Sequence, residues 1–87
     1  MREIRLFYLK DCPFCKKALA YMEKLKEQEA YRSIEVELIE ESEQPELSDQ
    51  YDYYYVPTFY LDGEKVHEGG MFISEVEAIF KKALGLD

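Results

Sequence analysis

LFYLKDCPFCKKALAYMEKL, residues 6–25, decides how the whole chain is read: an apolar run, a break, then a helical pattern opening on two cysteines. Upstream, Ile4, Leu6 and Tyr8 fall on one face of an extended segment and Arg5, Phe7 and Leu9 on the other, which predicts a strand over 3–9, buried on both faces toward its end. Lys10 and Asp11 break it. Pro13 suits the first turn of a helix, where its missing N–H costs nothing. Cys15, Ala18, Leu19, Met22 and Leu25 follow at the spacing of one helical face, opposite Lys16, Lys17, Glu23, Lys24 and Glu27. The pattern predicts a helix reaching about Glu29.

Working outward, IEVELI (34–39) alternates Ile34, Val36 and Leu38 against Glu35 and Glu37 and predicts a second strand. An acidic stretch follows, with Pro45 at the first turn of a short helix that turns Leu47, Tyr51 and Tyr54 inward. YYVPTFYLDGEKVHEG predicts two strands around Asp62-Gly63, a strong hairpin signal, with Pro57 at the start of the first strand, where a proline is tolerated. Ser74 to Glu77 has capping-box spacing. Val76, Ile79, Phe80, Ala83 and Leu84 continue at helical spacing to Gly85, which ends the helix. The order is β-α-β-α-β-β-α, within a single domain over 1–87.

The whole chain, 87 residues with 47% hydrophobic residues and 13 aromatic rings (8 Tyr, 5 Phe), is too apolar for disorder. No apolar run reaches the ~18 residues of a membrane span. Charges at Arg2, Glu3, Arg5 and Lys10 leave no apolar core for a secretory leader, so a cytoplasmic location is expected. With 19 acidic against 11 basic residues the net charge is −8, which repels phosphate backbones and disfavours nucleic acid as a partner. No basic residue stands between Arg32 and Lys65, whereas Lys10, Lys16 and Lys17 flank the cysteines. Two cysteines make neither a disulfide scaffold nor a closed zinc site, and no metal is expected.

What remains is redox chemistry. Cys12 falls at the start of the helix, where N–H groups and the positive dipole end favour a thiolate. Cys15 lies one turn inside, on the apolar face, where burial favours the thiol. Spacing of three lets the sulfurs close a small disulfide. A structural disulfide or two unrelated buried cysteines are the bland alternatives. Strand-to-helix placement with Pro13 after Cys12 favours an attacking and a resolving cysteine. His67 reads as a surface residue without a catalytic role. Among Tyr53, Tyr54 and Tyr55, at least one reads as core, and an aromatic rim beside the thiols is the sharper reading. Phe14, between the cysteines, is expected to be exposed and to contact substrate.

Cys12-Pro13-Phe14-Cys15, Val56-Pro57 and Gly69-Gly70, at these separations, resemble a dithiol glutaredoxin along essentially the entire chain. The resemblance implies a thioredoxin-like α/β fold, a four-stranded mixed sheet with three helices. It implies a dithiol–disulfide oxidoreductase in which Cys12 attacks and Cys15 resolves, acting on protein or glutathione mixed disulfides as a monomer. No bound cofactor is then needed, and glutathione is a co-substrate. Pro57 resembles a cis-proline facing the cysteines, with the Val56 backbone free to pair with a bound chain. Gly69 and Gly70 resemble the pair ahead of the last helix, so that the N–H groups of Met71 and Phe72 face the γ-glutamyl carboxylate of glutathione. Lys10 resembles the basic residue that meets the glycyl carboxylate. Three departures bear on glutathione. Lys10 stands two residues before Cys12, not three. Ile73 replaces an acid. Tyr55 precedes Val56 where threonine is common. Ile73 and the shifted Lys10 favour a competing reading, a protein disulfide reductase fed by thioredoxin reductase with little use of glutathione. A third reading, an iron–sulfur carrier, is disfavoured by the proline after Cys12.

Overall fold

β1 (Ile4–Tyr8) is the strand around which the molecule is built: it pairs in parallel with β2 (Val36–Glu40) on one side and antiparallel with β3 (Thr58–Leu61) on the other. β4 (Glu64–Glu68) closes on β3, giving the order β2-β1-β3-β4. α1 (Pro13–Leu25), α2 (Pro45–Ser48) and α3 (Ile73–Leu84) complete the β-α-β-α-β-β-α sequence, which is the order expected. The computed structural model describes residues 1–86; Asp87, the last residue of the domain expected over 1–87, lies outside the described residues. Among the described residues no helix is long and apolar enough to cross a membrane.

Strand alternation sorts the core into two layers. Ile4, Leu6, Phe59 and Leu61 point to one face, where Met22 and Leu25 of α1 and Val76, Ile79, Phe80 and Ala83 of α3 cover them. Truncating Phe59 or Phe80 to alanine there would cost about 3–5 kcal/mol. Phe7, Ile39 and Tyr60 point to the other face, under Leu47, Tyr51 and Tyr53. Phe7 stacks tilted on Tyr51 at 4.7 Å and edge-on to Tyr60 at 5.6 Å.

Several expected boundaries move, each for a packing reason. α1 stops at Leu25, not near Glu29. Gln28 is extended (φ −79°, ψ 137°), and a 3-10 turn over Glu29–Tyr31 swings Tyr31, and then Ile34, into the core. β2 therefore starts at Val36, and the expected inward set Ile34, Val36, Leu38 breaks. Leu38 shares the face of Leu6, but at the sheet edge it is 44% exposed in a shallow groove against Leu19 and Met22, while Ile39 and Glu40 are buried. α2 is a single turn. Leu47 and Tyr51 point inward as expected, but Tyr53 takes the inner place foreseen for Tyr54, which is 87% exposed.

β3 begins at Thr58, one residue after Pro57, and the Val56–Pro57 peptide bond is cis. Asp62 (φ 50°) and Gly63 (φ 82°) both take the left-handed region, the signature of a type I′ hairpin turn. The hairpin register carries a bulge: Tyr60 pairs with Lys65 and Phe59 with His67, so Val66 is the extra residue. α3 starts at Ile73 with Phe72 as its N-cap, ahead of the expected cap at Ser74. Glu75, not Glu77, reaches back to the cap N–H, and Glu77 accepts instead from the Tyr31 hydroxyl at 2.7 Å. Gly85 (φ 73°) ends the helix as expected, with the N–H of Leu86 returned to the carbonyl of Lys81.

Candidate active site

Cys12 is the N-cap of α1 and Pro13 fills the first helical position. The Cys12 Sγ accepts from the N–H of Cys15 at 3.4 Å and lies 3.9 Å from the carbonyl oxygen of Val56. Both cysteines are free thiols here; Cys12 is half-buried and Cys15 fully buried. Burial alone would raise the Cys12 thiol. Hydrogen bonds from the Cys15 thiol and from the N–H groups of Cys15 and Phe14 outweigh it and hold the thiol below its ordinary value. Burial pushes Cys15 up to about 12, reinforced by Cys12 and by the negative charge of Glu41. One sulfur is thus biased toward the thiolate and the other toward the thiol, one helical turn away. The expected asymmetry takes its form from local hydrogen bonds. Lys16 and Lys17 lie exposed, with the Lys17 ammonium 5.9 Å from the centre of the Phe14 ring.

The structure brings most of the expected residues to one end of the molecule. Phe14 is 56% exposed, and its ring lies so close to Gly70 that a Cβ there would come within 3.0 Å. Gly69 (φ 92°) gives its N–H to the Pro57 carbonyl at 2.8 Å, which ties the Gly-Gly pair to the segment facing Cys12. Phe14, Lys17, Tyr21, Gly70, Met71 and Phe72 line a pocket of about 290 Å³ on one side of the helix start. Leu9, Lys10, Asp11, Cys12, Glu40 and Ser42 line another of about 320 Å³. Of the tyrosines, Tyr53 is core, while Tyr54 and Tyr55 form an exposed rim.

Two expected contacts for glutathione are engaged elsewhere. The N–H of Phe72 donates to Glu75 Oε1 at 2.9 Å, and Glu75 Oε2 lies 3.4 Å from His67 Nδ1. His67 also meets the Gly70 carbonyl through Nε2 at 3.1 Å, so it is a half-buried brace behind the Gly-Gly pair rather than a free surface residue. The ammonium of Lys10 lies 4.0 Å from Glu43.

Three acidic residues of the site escaped the sequence reading. Glu40 accepts from the Lys10 N–H at 3.0 Å and from the hydroxyl and N–H of Ser42, both at 2.6 Å. The Ser42 hydroxyl, then the Lys10 N–H, lower its pKa, and the loop before Cys12 is stapled to the end of β2. Glu68 holds the N–H groups of Tyr54 and Tyr55. Glu75 had a signal: it stands three residues after Phe72, the offset of a capping glutamate. Glu40 and Glu68 had none, because the loops they hold, through the Lys10 N–H and through the Tyr54 and Tyr55 N–H groups, lie far away in sequence.

A family model described as Glutaredoxin matches residues 4–66, a span that holds both cysteines, Val56 and Pro57. The chain belongs to the glutaredoxin family. No curated protein matches its sequence. Among solved structures, this glutaredoxin-family chain is similar to thioredoxin (Mala s 13) of Malassezia sympodialis, with a TM-score of 0.74 and 20% identity over 94% of this chain and 74% of that one. It is similar to the reduced thioredoxin pre-protein of Schistosoma mansoni, with a TM-score of 0.72 and 25% identity over 94% of this chain and 78% of that one. A mutant thioredoxin of Halobacterium salinarum gives a TM-score of 0.70 and 26% identity over 94% of this chain and 74% of that one. The fold is thioredoxin-like, and with its Cys12–Cys15 pair the chain is a thiol–disulfide oxidoreductase.

Proposed function

We propose that this oxidoreductase reduces disulfides in proteins and draws little on glutathione. The observation that carries this reading is Glu75. Its carboxylate already holds the Phe72 N–H, where the family resemblance would seat the γ-glutamyl carboxylate. An incoming carboxylate would meet a like charge and lose that donor. Ile73 in place of an acid and the Lys10–Glu43 pairing point the same way.

In the first step the Cys12 thiolate attacks one sulfur of a substrate disulfide. The substrate S–S bond breaks, a mixed disulfide forms on Cys12, and the leaving sulfur takes a proton. The Cys15 thiol then gives up its proton, and its sulfur attacks Cys12. The substrate leaves with two thiols, and the chain holds a Cys12–Cys15 disulfide. Two electrons have passed to the substrate. A dithiol reductase of the thioredoxin reductase type restores the pair, and no bound cofactor takes part.

The other reading, with glutathione as co-substrate and donor, has the family match on its side. A donor comparison separates the two. Reduction of insulin is measured with NADPH and thioredoxin reductase, and reduction of a small glutathione mixed disulfide with glutathione, glutathione reductase and NADPH. Turnover chiefly in the first assay is expected. Efficient turnover confined to the second would replace this reading with the glutathione one.

A further inference from the structure

The segment from Asp52 to Pro57 is neither helix nor strand, yet it forms the wall facing Cys12. Irregular backbone stays in place only if its polar groups find partners. Here side chains of the β3–β4 hairpin supply them. Glu68, the last residue of β4, accepts the N–H of Tyr54 at 2.5 Å and that of Tyr55 at 3.0 Å on one oxygen. Its other oxygen meets the Lys65 ammonium at 2.7 Å, and Lys65 also donates to the Asp52 carbonyl at 3.2 Å. The Tyr60 hydroxyl donates to the same carbonyl at 2.8 Å, and the Thr58 hydroxyl donates to the carbonyl of Tyr55.

The contrast lies in what this fixed backbone carries. The side chains of Tyr54 and Tyr55, 87% and 70% exposed, are pinned at their N–H groups immediately before Val56, whose carbonyl faces the nucleophilic sulfur. Tyrosine on a held backbone supplies large contact area at small entropic cost, which suits a binding anchor. A carboxylate that accepts two backbone N–H groups is an expensive arrangement to leave half made.

We propose that Glu68 is a positioning residue for substrate binding. It holds Tyr54 and Tyr55 as an aromatic seat for the apolar chain on either side of a protein disulfide. Glu68 touches neither sulfur nor substrate; it acts through the two tyrosines and Val56. The proposal rests on the reading above that protein disulfides are the substrates.

The test is the split between KM and kcat. With insulin as the probe and thioredoxin reductase as the donor, Glu68→Ala raises KM about fivefold to twentyfold, the loss of one or two hydrogen bonds to a charged group. It leaves kcat within about twofold, because an interaction equal in the ground and transition states moves only KM. Glu68→Gln keeps an acceptor oxygen, loses the charge that holds Lys65, and falls between. Tyr54→Ala reproduces the rise in KM with Glu68 intact. Amide exchange of Tyr54 and Tyr55 is a readout independent of turnover and accelerates in Glu68→Gln. Unchanged KM in a folded Glu68→Ala protein whose melting temperature has dropped overturns the proposal and leaves Glu68 a structural brace. So does unaltered exchange at Tyr54 and Tyr55. If wild-type chain reduces no insulin at all, the functional reading fails instead, and the exchange data still decide whether Glu68 is the clamp.

Discussion

Cys12 and Cys15 stand three residues apart at the start of one helix, and their surroundings differ at every point. Cys12 is half-exposed at the helix cap and receives N–H hydrogen bonds, and its sulfur faces the Val56 carbonyl. Cys15 is sealed among core residues and feels the charge of Glu41. Nothing in the two side chains makes one a nucleophile. The difference comes from helix phase: the cap position points at solvent and at free N–H groups, and the position one turn later points at the sheet. A helix start is therefore enough to give two identical thiols opposite protonation tendencies.

Removing either sulfur is the largest challenge to that division. Cys12→Ser should reduce exchange on every disulfide to background. Cys15→Ser should accumulate the mixed disulfide with insulin and lose turnover about a hundredfold or more, because a thiol held on the same helix acts at a high effective concentration. Mass spectrometry of the trapped adduct reports it. Equal loss from the two variants, without an adduct in Cys15→Ser, would erase the distinction between the two roles.

Alkylation against pH measures the same comparison without turnover. With iodoacetamide, Cys12 should react with a midpoint below the ~8.5 of a free thiol, and Cys15 with a midpoint near 12. As pH rises, Cys12 loses its proton first. Midpoints within one unit of each other (about 1.4 kcal/mol of differential interaction) would break the comparison.

Smaller effects sharpen the picture on the exposed side. Gly70→Ala places a Cβ 3.0 Å from the Phe14 ring and should displace it. The cost should fall when Phe14→Ala is added, giving a coupling of about 0.5–1 kcal/mol in a thermal-denaturation cycle. Additive effects would mean that the ring moves away freely. Smallest is an acid-limb effect at Glu68. Hydrogen bonds from Lys65, then from the Tyr54 and Tyr55 N–H groups, lower its pKa to about 2 from an ordinary 4.5. A depressed carboxylate contributes stability above its unfolded pKa and loses it as pH falls through the folded one. Urea unfolding of Glu68→Gln should therefore match wild type most closely near pH 2 and diverge by pH 5.

Much of this was legible in the sequence, and the reasons for the rest are specific. Pro13, Asp62-Gly63 and Gly85 mark boundaries through backbone chemistry that no tertiary contact overrides, and the element order followed from them. Leu38 was misplaced because alternation tells which residues share a face, not whether a helix covers that part of it. The end of α1 was misplaced because Lys26 and Glu27 suit a helix, and the stop comes from Tyr31 and Ile34 being drawn into the core. Cys12 and Cys15 drew attention through their spacing and strand-to-helix placement, and Val56 and Pro57 through the family resemblance. Glu40, Glu68 and Tyr53 were not, since each answers to a group many residues away.

The bulge in β4 has a consequence in the arithmetic of parity. In a regular strand, residues three apart point to opposite sides, so Lys65 and Glu68 would be separated by the full thickness of the sheet. The inserted Val66 advances the count by one. Lys65 then lies beside Tyr60 and Glu68 beside Thr58, on the same side, while Val66 and His67 turn toward α3. A single supernumerary residue thus acts as a phase shifter. Deleting Val66 would set Lys65 and Glu68 two residues apart in a regular strand, still on one side of the sheet, and would remove only the Val66 side chain that packs toward α3.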